Sequence, residues 1–423
     1  MEKFRIRGGA RLAGEVRVSG SKNAALPCLA ATLLTSEPVS LHGVPRVRDI
    51  VTMEKVLASL GESCEHGNGV TRAVAGRGGA FHAPYELVRT MRASVLVLGP
   101  LLARRRRARV ALPGGCAIGA RPVDYHLEAL ARLGAELTIE SGDVVAEAPR
   151  GLHGGEIAFP RITVTGTENV LMAASLARGR TVLHNCALEP EVEDLAHLLT
   201  AMGARIDGVG TPTLEVEGVE SLRGADHSVI PDRIEAGTYV IAAVLAGSGV
   251  TVGRCRPDHL EALLSVLGEM GVRFTTAADS ITVPEQPARP RGAALSTAEY
   301  PGFATDLQAQ FLTLATQVDG PSSVTEAIFE NRFQHVLELK RLGAAITVEG
   351  RTAHVTGPRP LDGTTVMASD LRASASLVLA GLVAKGVTVV DRIYHLDRGY
   401  EAMEAKLTAL GARVERFNPG PYL

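Results

Sequence analysis

One thiol stands in a run of glycines five residues before an arginine, in Pro113-Gly114-Gly115-Cys116-Ala117-Ile118-Gly119-Ala120-Arg121-Pro122. A thiol can deliver a proton or attack as a nucleophile, and an arginine grips phosphates and carboxylates through its planar fork. Glycines on both sides cost backbone order and add no packing, so the segment reads either as a surface turn with an incidental cysteine or as a lid over an anionic ligand. Other polar residues gather just before apolar stretches: Lys22-Asn23, Arg92, Thr163 with Thr165, Asp232-Arg233, Asp306, and Asp370 with Arg372. Helix N-termini carry free N–H groups and positive dipole character, which makes these places natural anion sites. Helix capping accounts for Asp232, Asp306 and Asp370 as well as function does. It does not account for Lys22, Arg92 or Arg372, because a cation at a helix N-terminus is unfavourable; a bound anion is the better explanation. A second polar set, Arg121, Glu189, Asp258, Glu330 with Arg332, and Arg398, precedes amphipathic stretches.

The elements that must position these residues repeat. A helix-end signature occurs six times, at Ser59-Leu60-Gly61, Arg132-Leu133-Gly134, Ala201-Met202-Gly203, Glu269-Met270-Gly271, Arg341-Leu342-Gly343 and Ala409-Leu410-Gly411, with glycine spacings of 73, 69, 68, 72 and 68. Each glycine follows an amphipathic pattern, where a helix C-cap wants positive φ, and precedes a short strand pattern. Each copy also holds a stretch apolar nearly all round: 24–34, 94–103, 169–177, 236–246, 307–315 and 373–384. A helix apolar on every face must be buried, and these stretches fall short of the about 20 residues that span a bilayer. The predicted unit is strand, strand, buried helix, strand, amphipathic helix, strand. Six units divide most naturally into two closed groups of three.

Composition agrees with a large soluble globule, and the length allows two or three domains. The 423 residues carry a formal charge of −2, which leaves no electrostatic footprint for nucleic acid. The one strongly basic run, Arg104-Arg105-Arg106-Arg107, reads as a solvated turn. Five cysteines without a Cys-x-x-Cys pair argue against a disulfide framework and a zinc site. Cys28, Cys64, Cys186 and Cys255 lie in or beside strand and helix patterns and read as packing residues. The amino terminus alternates in charge and has no apolar h-region, so no signal peptide, no membrane anchor and a cytoplasmic setting are expected. His126 and His395, with Asp124 and Asp397, read as parts of helix-start turns. The oligomeric state stays open.

The chain resembles the enolpyruvyl transferases from end to end, and within them the branch that acts on a UDP-sugar. The resemblance rests on Ser21-Lys22-Asn23-Ala24-Ala25-Leu26-Pro27, Met91-Arg92-Ala93-Ser94, the segment 113–124 around Cys116, Thr165-Gly166-Thr167-Glu168-Asn169, Pro231-Asp232-Arg233-Ile234-Glu235, Pro301-Gly302-Phe303-Ala304-Thr305-Asp306, Phe329-Glu330-Asn331-Arg332, Asp370-Leu371-Arg372 and Tyr394-His395-Leu396-Asp397-Arg398-Gly399-Tyr400. Two departures, Glu299 before Tyr300-Pro301 and Cys28 in place of a bulkier apolar residue, leave the implied chemistry untouched. The resemblance implies a two-domain inside-out α/β barrel of six βαβαββ units. Residues 22–230 would form one domain, 1–21 with 231–423 the other, and the active site would lie in the cleft between them.

It also implies transfer of the enolpyruvyl group of phosphoenolpyruvate to the 3′-hydroxyl of UDP-N-acetylglucosamine by addition and elimination, with release of phosphate and without a cofactor or metal. By resemblance Cys116 is the proton donor and Asp306 the base at the sugar hydroxyl. Lys22, Arg121 and Arg398 hold phosphoenolpyruvate, and Asn23 bonds at the reacting centre. Arg92, Arg121, Pro122, Val123, Asp124, Tyr125, Arg161, Ile162, Thr163, Val164 and Ile328 hold the UDP-sugar. Glu330, Arg332, Asp370 and Arg372 line the cleft. The alternatives are the sister reaction on shikimate 3-phosphate, whose enzyme has no counterpart of the cysteine loop, and a silent UDP-sugar sensor. Neighbouring cations favour a thiolate, which cannot donate the proton, so the loop must keep Cys116 as a thiol. A donor cysteine here implies alkylation by the epoxide fosfomycin. Cys116→Asp is expected to retain turnover and become resistant; unchanged sensitivity of that variant to fosfomycin would refute the role given to the thiol.

Overall fold

Six helices with apolar side chains on every face set the architecture. In the computed structural model, which describes residues 2–76, 79–89, 91–112, 123–418 and 420, all six are largely buried. They are Lys22–Ala31, Leu98–Arg105 behind the 3-10 turn Arg92–Val97, Val164–Ala174, Arg233–Ala246, Gln308–Ala315 behind the turn Thr305–Leu307, and Leu371–Val383. Val164–Ala174 touches both Lys22–Ala31 and Leu98–Arg105, Lys22–Ala31 touches the turn Arg92–Val97, and the last three helices touch one another.

Around them the described residues form six four-stranded sheets on one plan. Glu156–Ala158 enters, the buried helix Val164–Ala174 follows, and Arg180–His184 returns parallel to the first strand. The amphipathic helix Pro190–Ala201 then leads to Arg205–Asp207 and Thr213–Glu217, an antiparallel pair whose second strand lies against Arg180–His184. Strands such as Thr213–Glu217 alternate buried and less buried residues, as a sheet with one face on a core requires.

The chain divides into two compact units, one of residues 2–19 and 231–418, the other of 20–112 and 123–230. In the first, the amino-terminal strand Lys3–Arg7 lies between Val387–Asp391 and Arg413–Phe417, and Leu12–Arg17 runs parallel to Gly247–Gly253. In the second, Asp226–Ser228 returns to pair parallel with Val39–His42. The first unit thus completes two sheets, and the second one sheet, with strands distant in sequence.

One reading changes. Arg104 and Arg105 do not form a solvated turn: Arg104 donates to the Leu33 carbonyl, and Arg105 to the carbonyls of Leu60 and Ala80, with the Glu62 carboxylate beside both. Their guanidinium groups satisfy carbonyls that would otherwise lack partners at helix and loop ends. Cys28, Cys186 and Cys255 are buried and Cys64 half-buried. Burial pushes the thiol up to about 12 at Cys64 and about 11 at Cys186 and Cys255, which keeps these three unreactive. Among the described residues no helix is long and apolar enough to cross a membrane.

All six signature glycines adopt positive φ, from 86° at Gly271 to 106° at Gly203. A Cβ at Gly203 would meet nothing within 4 Å, so a substitution there carries only the backbone penalty. Gly203→Ala is expected to destabilise the protein by about 1 kcal/mol, read as a lower urea midpoint with an unchanged slope.

Candidate active site

Asp306 lies in the turn Thr305–Leu307 that opens the Gln308–Ala315 helix, where the N-cap residue is Ala304. Its carboxylate takes one arginine on each oxygen. Arg332 Nη2 reaches Oδ1 at 2.6 Å, while Arg372 Nε and Nη2 reach Oδ2 at 3.0 and 2.9 Å. The side chains of Arg332 and Arg372 are 5% and 3% exposed and that of Asp306 is 26% exposed, so the carboxylate is the member that faces outward. Burial opposes the charge of Arg372, but Asp306, Tyr400 and Asp232 more than compensate and hold it firmly protonated.

The surrounding side chains fix this trio. Asp232 and Asp370 do act as helix caps: Asp370 Oδ1 accepts from the Arg372 and Ala373 N–H groups, which anchors the turn that presents Arg372. The Arg372 guanidinium also lies over the Tyr400 ring, at 5.4 Å. Tyr400 Oη is bonded in turn to Thr238 and Gln310 in the core. Buried Glu326 accepts from the Thr297 and Thr305 hydroxyls and from the Ile328 and Phe329 N–H groups, and Arg332 donates to Thr305 as well. One carboxylate therefore holds the residue before Asp306, one of the partners of Arg332, and the Ile328 backbone. Arg398 sits half-buried in the turn Leu396–Arg398 of the same unit, and Glu330 is exposed.

The other unit carries Lys22 and the residues assigned to the nucleotide. Lys22 is the first residue of a helix capped by Ser21, and its buried Nζ lies 3.3 Å from Asp49 Oδ2. Asn23 follows it, half-buried. The anion argument for Lys22 and Arg372 is thus answered in part by the protein's own carboxylates, Asp49 and Asp306. Arg92 opens the turn Arg92–Val97, Val123 precedes the helix Asp124–Arg132 that holds Asp124 and Tyr125, and Thr163 caps the helix that begins at Val164. Arg161 is exposed and Ile162 half-buried just before that cap. Cys116, Arg121 and Pro122 lie outside the described residues.

A buried histidine ties these three helix starts together. Asn169 Nδ2 donates to His126 Nδ1 at 3.0 Å and to the Val95 carbonyl, while Asn169 Oδ1 accepts from the Gly99 N–H. His126 Nδ1 is then an acceptor, which leaves Nε2 to carry the proton toward Thr165 Oγ1 at 3.3 Å. Burial, then Arg92, lowers His126 to about 4 and keeps it neutral. Its role goes beyond a helix-start turn. The sequence reading missed Asp49, Glu326, Tyr400 and the His126–Asn169 pair, because each acts through a partner remote in the chain.

Two sheet-wrapped units of one plan, each built on three buried helices with charged residues at their starts, define a two-unit α/β protein. Comparison with known proteins gives its family. The model of the family EPSP synthase (3-phosphoshikimate 1-carboxyvinyltransferase) matches residues 6–407. A curated relative from Koribacter versatilis (strain Ellin345) is 58% identical over 429 residues, covering 98% of this chain and 96% of the relative. Another from Solibacter usitatus (strain Ellin6076) is 55% identical over 416 residues, covering 98% and 100%. Both are named UDP-N-acetylglucosamine 1-carboxyvinyltransferase. The enolpyruvyl transferase NikO from Streptomyces tendae superposes with a TM-score of 0.89 at 28% identity over 99% of both chains. An EPSP synthase from Acinetobacter baumannii shares the fold, with a TM-score of 0.77 at 17% identity over 99% of this chain and 100% of its own. The chain belongs to the enolpyruvyl transferase family.

His126 also makes a pH prediction. Its imidazole titrates near 6.5 when unfolded and near 4 when buried, so the unfolded chain takes up the proton first and stability falls as pH drops through that window. Between pH 7 and pH 5 the wild type is expected to lose about 2 kcal/mol more than His126→Gln, measured by urea unfolding at each pH.

Proposed function

We propose that the protein transfers the enolpyruvyl group of phosphoenolpyruvate to the 3′-hydroxyl of UDP-N-acetylglucosamine, the first committed step of peptidoglycan synthesis, in the cytoplasm. The observation that carries this reading is the identity of 58% and 55%, over nearly the whole chain, to two proteins named for that reaction. The Gly-Gly-Cys segment supports the UDP-sugar over shikimate 3-phosphate as acceptor. The division into a domain of 22–230 and a domain of 1–21 with 231–423 belongs to the same proposal.

In the addition step the Cys116 thiol gives its proton to the methylene carbon of phosphoenolpyruvate. The 3′-hydroxyl oxygen bonds to the adjoining carbon, and Asp306 takes the hydroxyl proton. Elimination then returns a proton from the new methyl group to the Cys116 thiolate and expels phosphate, which takes up the proton held by Asp306. Asp306 between two guanidinium groups is a weak base for an alcohol, which suits transfer late in carbon–oxygen bond formation, when the hydroxyl has become acidic. Arg332 and Arg372 hold the carboxylate charged and outward. Lys22, Arg121 and Arg398 neutralise the phosphate and carboxylate of phosphoenolpyruvate, with Asn23 at the reacting centre. Arg92, Pro122, Val123, Asp124, Tyr125, Arg161, Ile162, Thr163, Val164 and Ile328 bind the nucleotide sugar, and Glu330 and Asp370 complete the polar lining.

The test is inorganic phosphate release from phosphoenolpyruvate with UDP-N-acetylglucosamine, with shikimate 3-phosphate, and with neither. Release that requires the UDP-sugar supports the proposal. Release with shikimate 3-phosphate, or binding of the UDP-sugar without release, overturns it in favour of the sister reaction or a sensor. Asp306→Asn is expected to lower kcat by about 10²- to 10⁴-fold, as loss of a general base does.

A further inference from the structure

Three potential metal ligands from three separate elements converge in the unit that carries Lys22. Cys28 comes from the helix Lys22–Ala31, Asp194 from Pro190–Ala201, and His227 from the strand Asp226–Ser228. Their ligand atoms all lie within 4.8 Å of one another. Cys28 Sγ is 3.8 Å from Asp194 Oδ2, and His227 Nε2 is 2.9 Å from Asp194 Oδ1. Tetrahedral zinc with bonds of about 2.0 to 2.3 Å separates its ligand atoms by about 3.3 to 3.8 Å, so shifts of about 1 Å or less bring the three into coordination. We propose that Cys28, Asp194 and His227 form a structural site for a borderline divalent transition ion, Zn²⁺ above all, with water as the fourth ligand.

The donor set selects the ion. One thiolate, one imidazole and one carboxylate suit zinc and its neighbours, whereas Mg²⁺ and Ca²⁺ take oxygen donors. Cys28 and Asp194 are buried, while the His227 side chain is 12% exposed and gives the ion a way in. Carboxylates gather around the site. Glu168 is buried with its Oε1 lacking a hydrogen-bond partner, and burial, then Glu191 and Glu189, push it well above the usual carboxylate range. Burial, then Asp194 and Glu168, likewise keep Cys28 a thiol in the metal-free protein. A dication reverses that balance, since it replaces the thiol proton and offsets the carboxylates. On binding, the Cys28 proton leaves to solvent. His227 coordinates through Nε2 as neutral imidazole with its proton on Nδ1, so one proton is released per ion. The ion would cross-link the Lys22 helix to an amphipathic helix and to the strand that completes the first sheet.

The probe is Co²⁺ titrated into the full chain after removal of metal by a chelator, read by the sulfur-to-cobalt charge-transfer band. The variants are Cys28→Val, His227→Gln and Cys116→Ser. One Co²⁺ per chain is expected, with a band that survives Cys116→Ser and vanishes in Cys28→Val. Affinity in His227→Gln should fall by about tenfold or more. Zn²⁺, but not Mg²⁺, should raise the unfolding midpoint of the wild type and leave that of Cys28→Val unchanged. An undiminished band in Cys28→Val, a band lost with Cys116, or no binding of Co²⁺ and Zn²⁺ by the wild type would each overturn the proposal. If Cys28→Val does not fold, His227→Gln, altered at the accessible edge, decides through affinity alone.

Discussion

The structure depends on one constraint: six helices with no polar face must be kept from water on all sides. An isolated helix of this kind cannot be satisfied by a single sheet, which covers one side only. Three of them packed together, with sheets outside, cover one another and leave only their ends open. The helices Arg233–Ala246, Gln308–Ala315 and Leu371–Val383 do this in one unit, and Lys22–Ala31, Leu98–Arg105 and Val164–Ala174 in the other. The amphipathic helices and hairpins then follow as the cover each sheet needs on its way to the next repeat.

The charged residues of the candidate site gather at helix starts for the same reason. A largely apolar helix leaves free N–H groups only in its first turn, so capping and charged residues gather there, while polar residues farther along, such as Asn169, Thr238 and Gln310, are buried against hydrogen-bonding partners. The residues divide the task among themselves. Ser21, Thr163, Asp232 and Asp370 satisfy the backbone, whereas Lys22 and Asp306 keep their charged ends for other partners. Arg372 shows both principles, since its backbone N–H feeds the Asp370 cap while its guanidinium reaches Asp306.

The outward carboxylate of Asp306 rests on a chain of buried polar contacts. Arg372 leans on Tyr400, Tyr400 on Thr238 and Gln310, and Arg332 on Thr305, which Glu326 holds. Each contact excludes alternative positions for the next, because an unpaired polar group in such a core costs about 1 to 3 kcal/mol. The His126–Asn169 pair does the same for the helix starts of the other unit. Rigid supports of this kind fix a small reacting group more tightly than a loop could.

The sequence determined the repeat, the helix class and the helix ends, because all three are local: an all-apolar period, a glycine at positive φ and a polar residue before an apolar run are written in neighbouring residues. The six signature glycines all adopt the predicted conformation. It also placed Asp306 and Arg372 each at a helix start, but could not separate a cap from a functional carboxylate, since both use the same residue at the same position. Only the tertiary structure decided that Asp370 is an N-cap and that Asp306 takes Arg332 and Arg372 as partners. The fold likewise decided that the Arg104–Arg105 run bonds inward, that Lys3–Arg7 completes a sheet with residues 387–391 and 413–417, and that Lys22 has Asp49 beside it. These are pairings across tens to hundreds of residues. Their energy depends on distance in space, which no local pattern encodes.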